Sequence, residues 1–308
     1  MKYLTLFVAL FLACYILFCP ERRTAVGEGL YEEIKQNQYG KSNEPKWRKY
    51  NRIREVSDPG LGVILGDLES HIFTEHHYGD ANKVVWAHQV SHGINARLRN
   101  DPTTGDGWNG FYVLQDRSII LKEPEVTVRD VAVSIPANLR ESGYGIYLLE
   151  QATTWNDRPL YLLDEWVAFT NASDCGRELN IKNWSFELLQ AHEFSIYCMT
   201  LAMVVQRDCS DYRDTELREF IMWNVERVFR LTHPSDRSRE EVSIGRTNIP
   251  VSNWHICPHP IPSTEFSGGM KEVDLYLNKV RTSPDADKLR TFAKDYFGEE
   301  WCRKVYGF

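Results

Sequence analysis

The stretch from Trp184 to Arg207 constrains this chain most, because apolar side chains such as Leu188, Phe194, Tyr197, Leu201 and Val205 recur on nearly every side of it. A helix that is apolar all round has to be covered all round. The segment therefore predicts a globule wrapped about one central helix. Its 308 residues, 43% hydrophobic and 26% charged, supply enough chain to do this and exclude disordered, collagen-like and coiled-coil architectures. Lys and Arg number 36 against 43 Asp and Glu, a net charge of −7, so the surface field repels phosphate backbones and nucleic acid is not an expected partner.

A second apolar run, Tyr3 to Phe18, follows Lys2 and closes on Cys19-Pro20 and Glu21-Arg22-Arg23. Residues 1–20 read as a signal peptide or an N-terminal membrane anchor. A cleaved signal, lipid attachment at Cys14 in Phe11-Leu12-Ala13-Cys14, and an uncleaved anchor all remain open. Each predicts an exported chain: secreted, periplasmic, or membrane-anchored and facing outside the cytosol. Residues 21–59 are polar, carry Pro45 and Pro59, and read as an irregular lead-in; residues 60–308 read as a single globular domain. Of the seven Cys, Cys175, Cys198, Cys209, Cys257 and Cys302 lie beyond the leader, enough for two disulfides or for buried thiols. No CxxC pair is present to support a thiolate zinc cluster. Asn171-Ala172-Ser173 and Asn183-Trp184-Ser185 fit the glycosylation sequon.

Periodicity predicts helices over 82–100 (capped by Asp80), 144–153, 160–171, 184–207, 212–231, 270–280 and 285–297. Strands are expected over 110–114 and 118–121 about a tight turn, with 126–133 as a third. The fold class is α+β, mainly α, with a small antiparallel sheet beside the first of these helices.

That helix carries the chemistry. His88 and His92 are four residues apart, which brings both imidazoles to one helix face where they can converge on one ion. A third ligand has to come from elsewhere. Glu165 in Leu162-Leu163-Asp164-Glu165-Trp166-Val167-Ala168 is the candidate, because an acidic pair in so apolar a helix is costly unless ligated or paired. Ala168, one turn on, permits close approach of the two helices. Asp164 is then a candidate partner for a histidine ring nitrogen.

His88-x-x-x-His92 followed by Gly93, with Glu165-x-x-Ala168 on a later helix, resembles a gluzincin-type zinc metallopeptidase over about Trp86–Asn171. The resemblance implies a zincin-like fold and a Zn2+ ion held by His88, His92 and Glu165. It also implies a peptide or protein ligand and a Tyr or His that stabilises the oxyanion. Tyr144, Tyr147, Tyr161 and His192 are candidates for that last role, Tyr147 the first choice, and His192 is also a candidate support for the ligands. Metzincin spacing is excluded, since Asn95 and Leu98 stand where Gly and His are required, and no Glu lies near Tyr112 as thermolysin-like spacing would need.

The chain departs from the family where catalysis is decided. The residue after the first His is Glu in the family, where it accepts a proton from the attacking water; here it is Gln89. An amide can hold a water but cannot take that proton, and losing a positioned base costs ~10²–10⁴ in rate. The expectation is an exported metallopeptidase-like protein with impaired hydrolysis, a pseudoenzyme. The alternative is a non-catalytic exported binding or surface-interaction domain with no metal.

Other motifs carry less. His71, Glu75, His76 and His77 imitate the inverted HxxEH pattern with one residue too many, and read as a solvated loop. His192-Glu193 lacks a second His at Ile196, and Pro258 and Pro260 argue against a helix joining His255 to His259. There is no Gly-rich phosphate loop and no GxSxG elbow.

Overall fold

Asp58 opens the first helical run by accepting the Gly60 amide at 2.8 Å, and Pro59 sits in the first turn, where its missing N–H costs nothing. In the computed structural model, which describes residues 45–73, 78–182, 184–213, 215–232 and 269–308, this turn leads into α1 (Gly62–Ser70). Then come α2 (Lys83–Asn100), a hairpin of β2 (Trp108–Tyr112) and β3 (Arg117–Lys122), and α3 (Val128–Ser134). A π-helix (Tyr144–Glu150) and the short α4 (Ala152–Trp155) lead to α5 (Tyr161–Glu178), α6 (Trp184–Asp208) and α7 (Thr215–Thr232). Helices α8 (Met270–Thr282), α9 (Asp287–Phe297) and α10 (Glu299–Val305) close the chain. The structure is mainly helical with one three-stranded antiparallel sheet of order β1-β3-β2, where β1 is Arg48–Lys49.

Two local expectations are corrected. The third strand is not 126–133, which despite its valines folds as α3. Thr127 Oγ1 accepts the Asp130 amide at 3.1 Å while Asp130 Oδ2 accepts the Thr127 amide at 2.9 Å, a reciprocal cap that commits the segment to a helix. Of residues 21–59, expected as an irregular lead-in, the described stretch from Pro45 to Asp58 is irregular apart from the two-residue β1. Arg48 and Lys49 pair with Ser118 and Arg117, and Trp47 packs edge-on against Trp223 at 4.7 Å. The cap of α2 is Asn82, whose side chain accepts the Val84 amide; Asp80 instead accepts the Asn82 amide.

Among the described residues Cys175, Cys198, Cys209 and Cys302 are free thiols. Asn171 is fully buried, which removes its sequon as a modification site. The residues 1–44, the Asn183 sequon, Glu75, His76, His77, Cys257 and the His255/His259 pair lie outside the described residues.

The central helix expected from its composition is α6, buried along almost its whole length against α5, α7, α3, α8 and α9. It organises the larger of two apolar clusters. The smaller, built from Leu65 and Leu68 of α1, Ala87, Val90, Ile94 and Leu98 of α2 and Tyr112 and Ile120 of the sheet, lies on the other face of α2. Gly110 lets the sheet close on that helix: a Cβ there would sit 2.4 Å from Leu98 Cβ. The long helices α2 and α5 thus meet between the two clusters, and the polar side chains they share lie along that contact.

Candidate metal centre

Helix α2 presents His88, Ser91, His92, Asn95 and Arg99 toward α5, and α5 answers with Asp164, Glu165, Ala168 and Asn171. Ala168 is fully buried at the crossing. The result is a triangle of donor atoms. His88 Nε2 and His92 Nε2 are 3.0 Å apart, and Glu165 Oε2 lies 3.7 Å from the first and 3.4 Å from the second.

Tetrahedral zinc with bonds of ~2.0–2.1 Å spaces its ligand atoms about 3.3–3.4 Å apart. The circle through these three atoms has a radius of about 2.0 Å, so a divalent ion at bonding distance from all three fits near their plane with a fourth direction open. His92 is 25% exposed at its side chain against 11% for His88 and 10% for Glu165, which puts the open side at His92.

The surroundings hold the triangle. Asp164 Oδ1 accepts from His92 Nδ1 at 3.0 Å and from Asn95 Nδ2 at 2.7 Å, and its other oxygen is 3.5 Å from Arg99 Nη1. The His92 Nδ1–H is thereby committed to Asp164, which turns Nε2 toward the centre. Asn95 is fixed in turn because its Oδ1 accepts the Tyr112 amide of β2 at 2.8 Å. The His88 ring stands edge-on to Phe169 at 4.5 Å.

Glu165 Oε2 is buried, and it has no well-formed hydrogen bond, only the His92 and His88 ring nitrogens at 3.4 and 3.7 Å. A buried acceptor of this kind is costly to leave unmade, and a cation shared with two imidazoles satisfies it. The donor set of two imidazoles and a carboxylate suits a zinc-sized ion. Protons respond to the same arrangement. Burial, then the neighbouring His92, holds His88 well below its ordinary value. Burial also pulls on His92, but the Glu165 and Asp164 carboxylates outweigh it and hold that imidazole well above its ordinary value.

Of the other predicted site residues, Gln89 lies half-buried in the turn between the two histidines. Tyr147, on the π-helix, packs edge-on against Phe194 at 4.9 Å and Phe169 at 5.9 Å, and its phenol acts on the buried Tyr161. Tyr144 is committed elsewhere, donating to the Ala132 carbonyl at 3.2 Å. His192 Nε2 meets Thr232 Oγ1 at 2.8 Å and its ring stands edge-on to Phe229, both on α7.

Two further groups lie near the centre: Tyr161, which the sequence offers only as one of several oxyanion candidates, and Glu187, for which it gives no signal. The Tyr161 hydroxyl is raised by burial and then by Glu165, and donates to Gln151. Glu187, in the first turn of α6, is buried with Oε2 unpartnered, and burial followed by the charge of Glu165 pushes it up to about 8. Its spacing gives no warning, because α6 brings it there from the other side of α5. No known protein family, curated protein or solved structure matches the chain.

Proposed function

We propose that this chain is an exported, zincin-like metal protein that binds Zn2+ through His88, His92 and Glu165 and hydrolyses peptides poorly or not at all. The observation that carries the reading is the buried Glu165 Oε2, which has no well-formed hydrogen bond and faces two imidazole nitrogens at 3.4 and 3.7 Å. When bound, the ion supplies Lewis-acid polarisation of a carbonyl and of a water. Asp164 fixes the tautomer and aim of His92, and Asn95 and Arg99 fix Asp164. Gln89 can orient a water by hydrogen bonding but has no site for its proton, so the base step is the one this chain lacks. Export rests on the apolar run Tyr3–Phe18.

Zinc content of the purified chain tests the first half: one equivalent in the wild type, lost in Glu165→Gln and His92→Ala. Gln89→Glu tests the second: restoring the carboxylate should create chelator-sensitive peptide hydrolysis in the zinc-loaded protein. A zinc-loaded Q89E variant that stays inert would remove the peptidase lineage.

One observation favours a metal-free binding domain as the second reading. With its imidazole held charged between Asp164 and Glu165, His92 can serve as the cluster's cation itself. That reading requires zinc content at background in the wild type.

A further inference from the structure

The segment around His71, expected from sequence to be a solvated loop, is buried completely at the ring. Its Nδ1 lies 2.7 Å from the Asp67 carbonyl oxygen, 3.0 Å from the Tyr112 hydroxyl and 3.1 Å from Ser70 Oγ; the carbonyl can only accept, so the short contact to it assigns the Nδ1 proton. The other nitrogen, Nε2, faces two oxygens at once: the Tyr50 carbonyl at 3.1 Å and Asp116 Oδ1 at 3.1 Å. A ring nitrogen can stand before two acceptors only if it carries a proton to share between them or if a metal ion lies among them.

Asp67 decides between the two. Its Oδ2 accepts from the Tyr112 hydroxyl at 2.7 Å and from the Gln115 amide at 3.0 Å. Its Oδ1 has no hydrogen-bond partner, although the side chain is only 8% exposed. A proton on His71 Nε2 would satisfy Asp116 and Tyr50 and leave that oxygen only the Arg52 guanidinium at 3.7 Å, beyond hydrogen-bonding distance; a divalent ion would satisfy all of them. The donor atoms of Asp67, His71 and Asp116 lie within 4.8 Å of one another, the span that two bonds of ~2.1–2.4 Å can bridge. Arg52 borders the same two carboxylates at 3.7 Å from Asp67 Oδ1 and 3.3 Å from Asp116 Oδ1, on a side chain 55% exposed that can move aside.

We infer that Asp67, His71 and Asp116, with the Tyr50 carbonyl, form a second divalent-cation site, built for an ion that accepts mixed nitrogen and oxygen donors such as Mn2+. The Nδ1–H to carbonyl contact is the support a metal-bound imidazole ordinarily has. The site ties the chain entering at Pro45 to α1 and to the β2–β3 turn. It does not depend on the His88–His92–Glu165 centre.

The test is Mn2+ titration of chelator-stripped full-length protein, read by the electron paramagnetic resonance of free Mn2+ and by ion count, with folding checked by circular dichroism. In a His92→Ala chain, one Mn2+ should remain bound, and adding Asp116→Asn should weaken it at least tenfold. Arg52→Ala should tighten it several-fold, because a competing cation is gone. Should the double variant unfold, Asp116→Asn alone, with Asp116 a third exposed, must still remove one ion from the wild-type count. No Mn2+ on the His92→Ala chain, or a count and affinity unchanged by Asp116→Asn, overturns the inference. A wild type holding one ion that Asp116→Asn removes and His92→Ala does not would uphold this site and defeat the zinc reading above.

Discussion

Asp164 and Glu165 are neighbours on α5 with different work, and their environments separate them. Burial alone would raise Asp164; the charge and hydrogen bond of His92, the Asn95 amide and Arg99 outweigh it and hold the carboxyl below its ordinary value. The lowered Asp164 carboxyl in turn helps to hold the His92 imidazole above its ordinary value in the metal-free chain. The raised imidazole stabilises that chain fully below its unfolded value near 6.5, and the contribution fades as pH climbs through the higher folded value. An incoming ion must displace this proton. Zinc uptake near neutral pH should thus release about one proton, seen as a buffer-dependent heat in titration calorimetry, and the apparent affinity should fall as pH falls. Asp164→Asn should shrink the proton release and weaken zinc by ~10–100-fold.

Glu187 works in the opposite direction. With a folded value of about 8 against ~4.3 unfolded, the native state keeps a proton that the unfolded chain has lost, so stability drops as pH rises from the carboxylate range to about 8. Glu187→Gln should flatten that slope and raise the urea midpoint at pH 8 while leaving it unchanged near pH 4.

At the scale of elements, close approach decides where side chains meet. Gly176 is where α5 passes the first turn of α6: a Cβ there would lie 2.4 Å from Trp184 Cβ and 3.1 Å from Val84 Cγ2. Gly176→Ala gains about 1 kcal/mol of helix propensity but overpacks a rigid contact at ~1–3 kcal/mol, so the urea midpoint should fall. The long helices were readable because α2, α5 and α6 carry enough apolar positions to fix their period, and His88, His92 and Glu165 stand out as polar residues on otherwise buried faces. The 126–133 segment misled because β-branched composition competes with a capping box that only Thr127 and Asp130 announce. β1 is two exposed charged residues joined by backbone pairing, which has no side-chain pattern to read. Glu187, the approach of Tyr161 to Glu165, the bond of Asn95 to Asp164 and the meeting of His71 with Asp116 are not legible for one shared reason: each pairing is made by tertiary packing, and spacing along the chain does not encode it.

At the scale of the molecule, the polar residues between the two apolar clusters form a continuous seam. His92, Asp164 and Asn95 run to the Tyr112 amide; Asn171 continues it, bonding Ser91 Oγ at 3.0 Å and the Tyr112 carbonyl at 3.3 Å and accepting from Arg227 Nη2 at 2.8 Å. Arg227 in turn holds Asp174 at 2.7 Å, so α2, β2, α5 and α7 are joined by one network. A buried network of this kind is stabilising only when fully satisfied. The ligand triangle is its least satisfied part, since Glu165 Oε2 and His88 Nδ1 both lack a well-formed hydrogen bond. An ion at the triangle would cross-link α2, which faces the small cluster, to α5, which faces the large one. At one hundred times its dissociation constant it should add about 2.7 kcal/mol to global stability and raise Tm by several degrees. Amide hydrogen exchange should slow in α2 and α5 together, and His92→Ala should abolish both effects. Slowing confined to α2, with Tm unmoved, would mean the imidazoles bind the ion without Glu165 and that the seam plays no part in holding it.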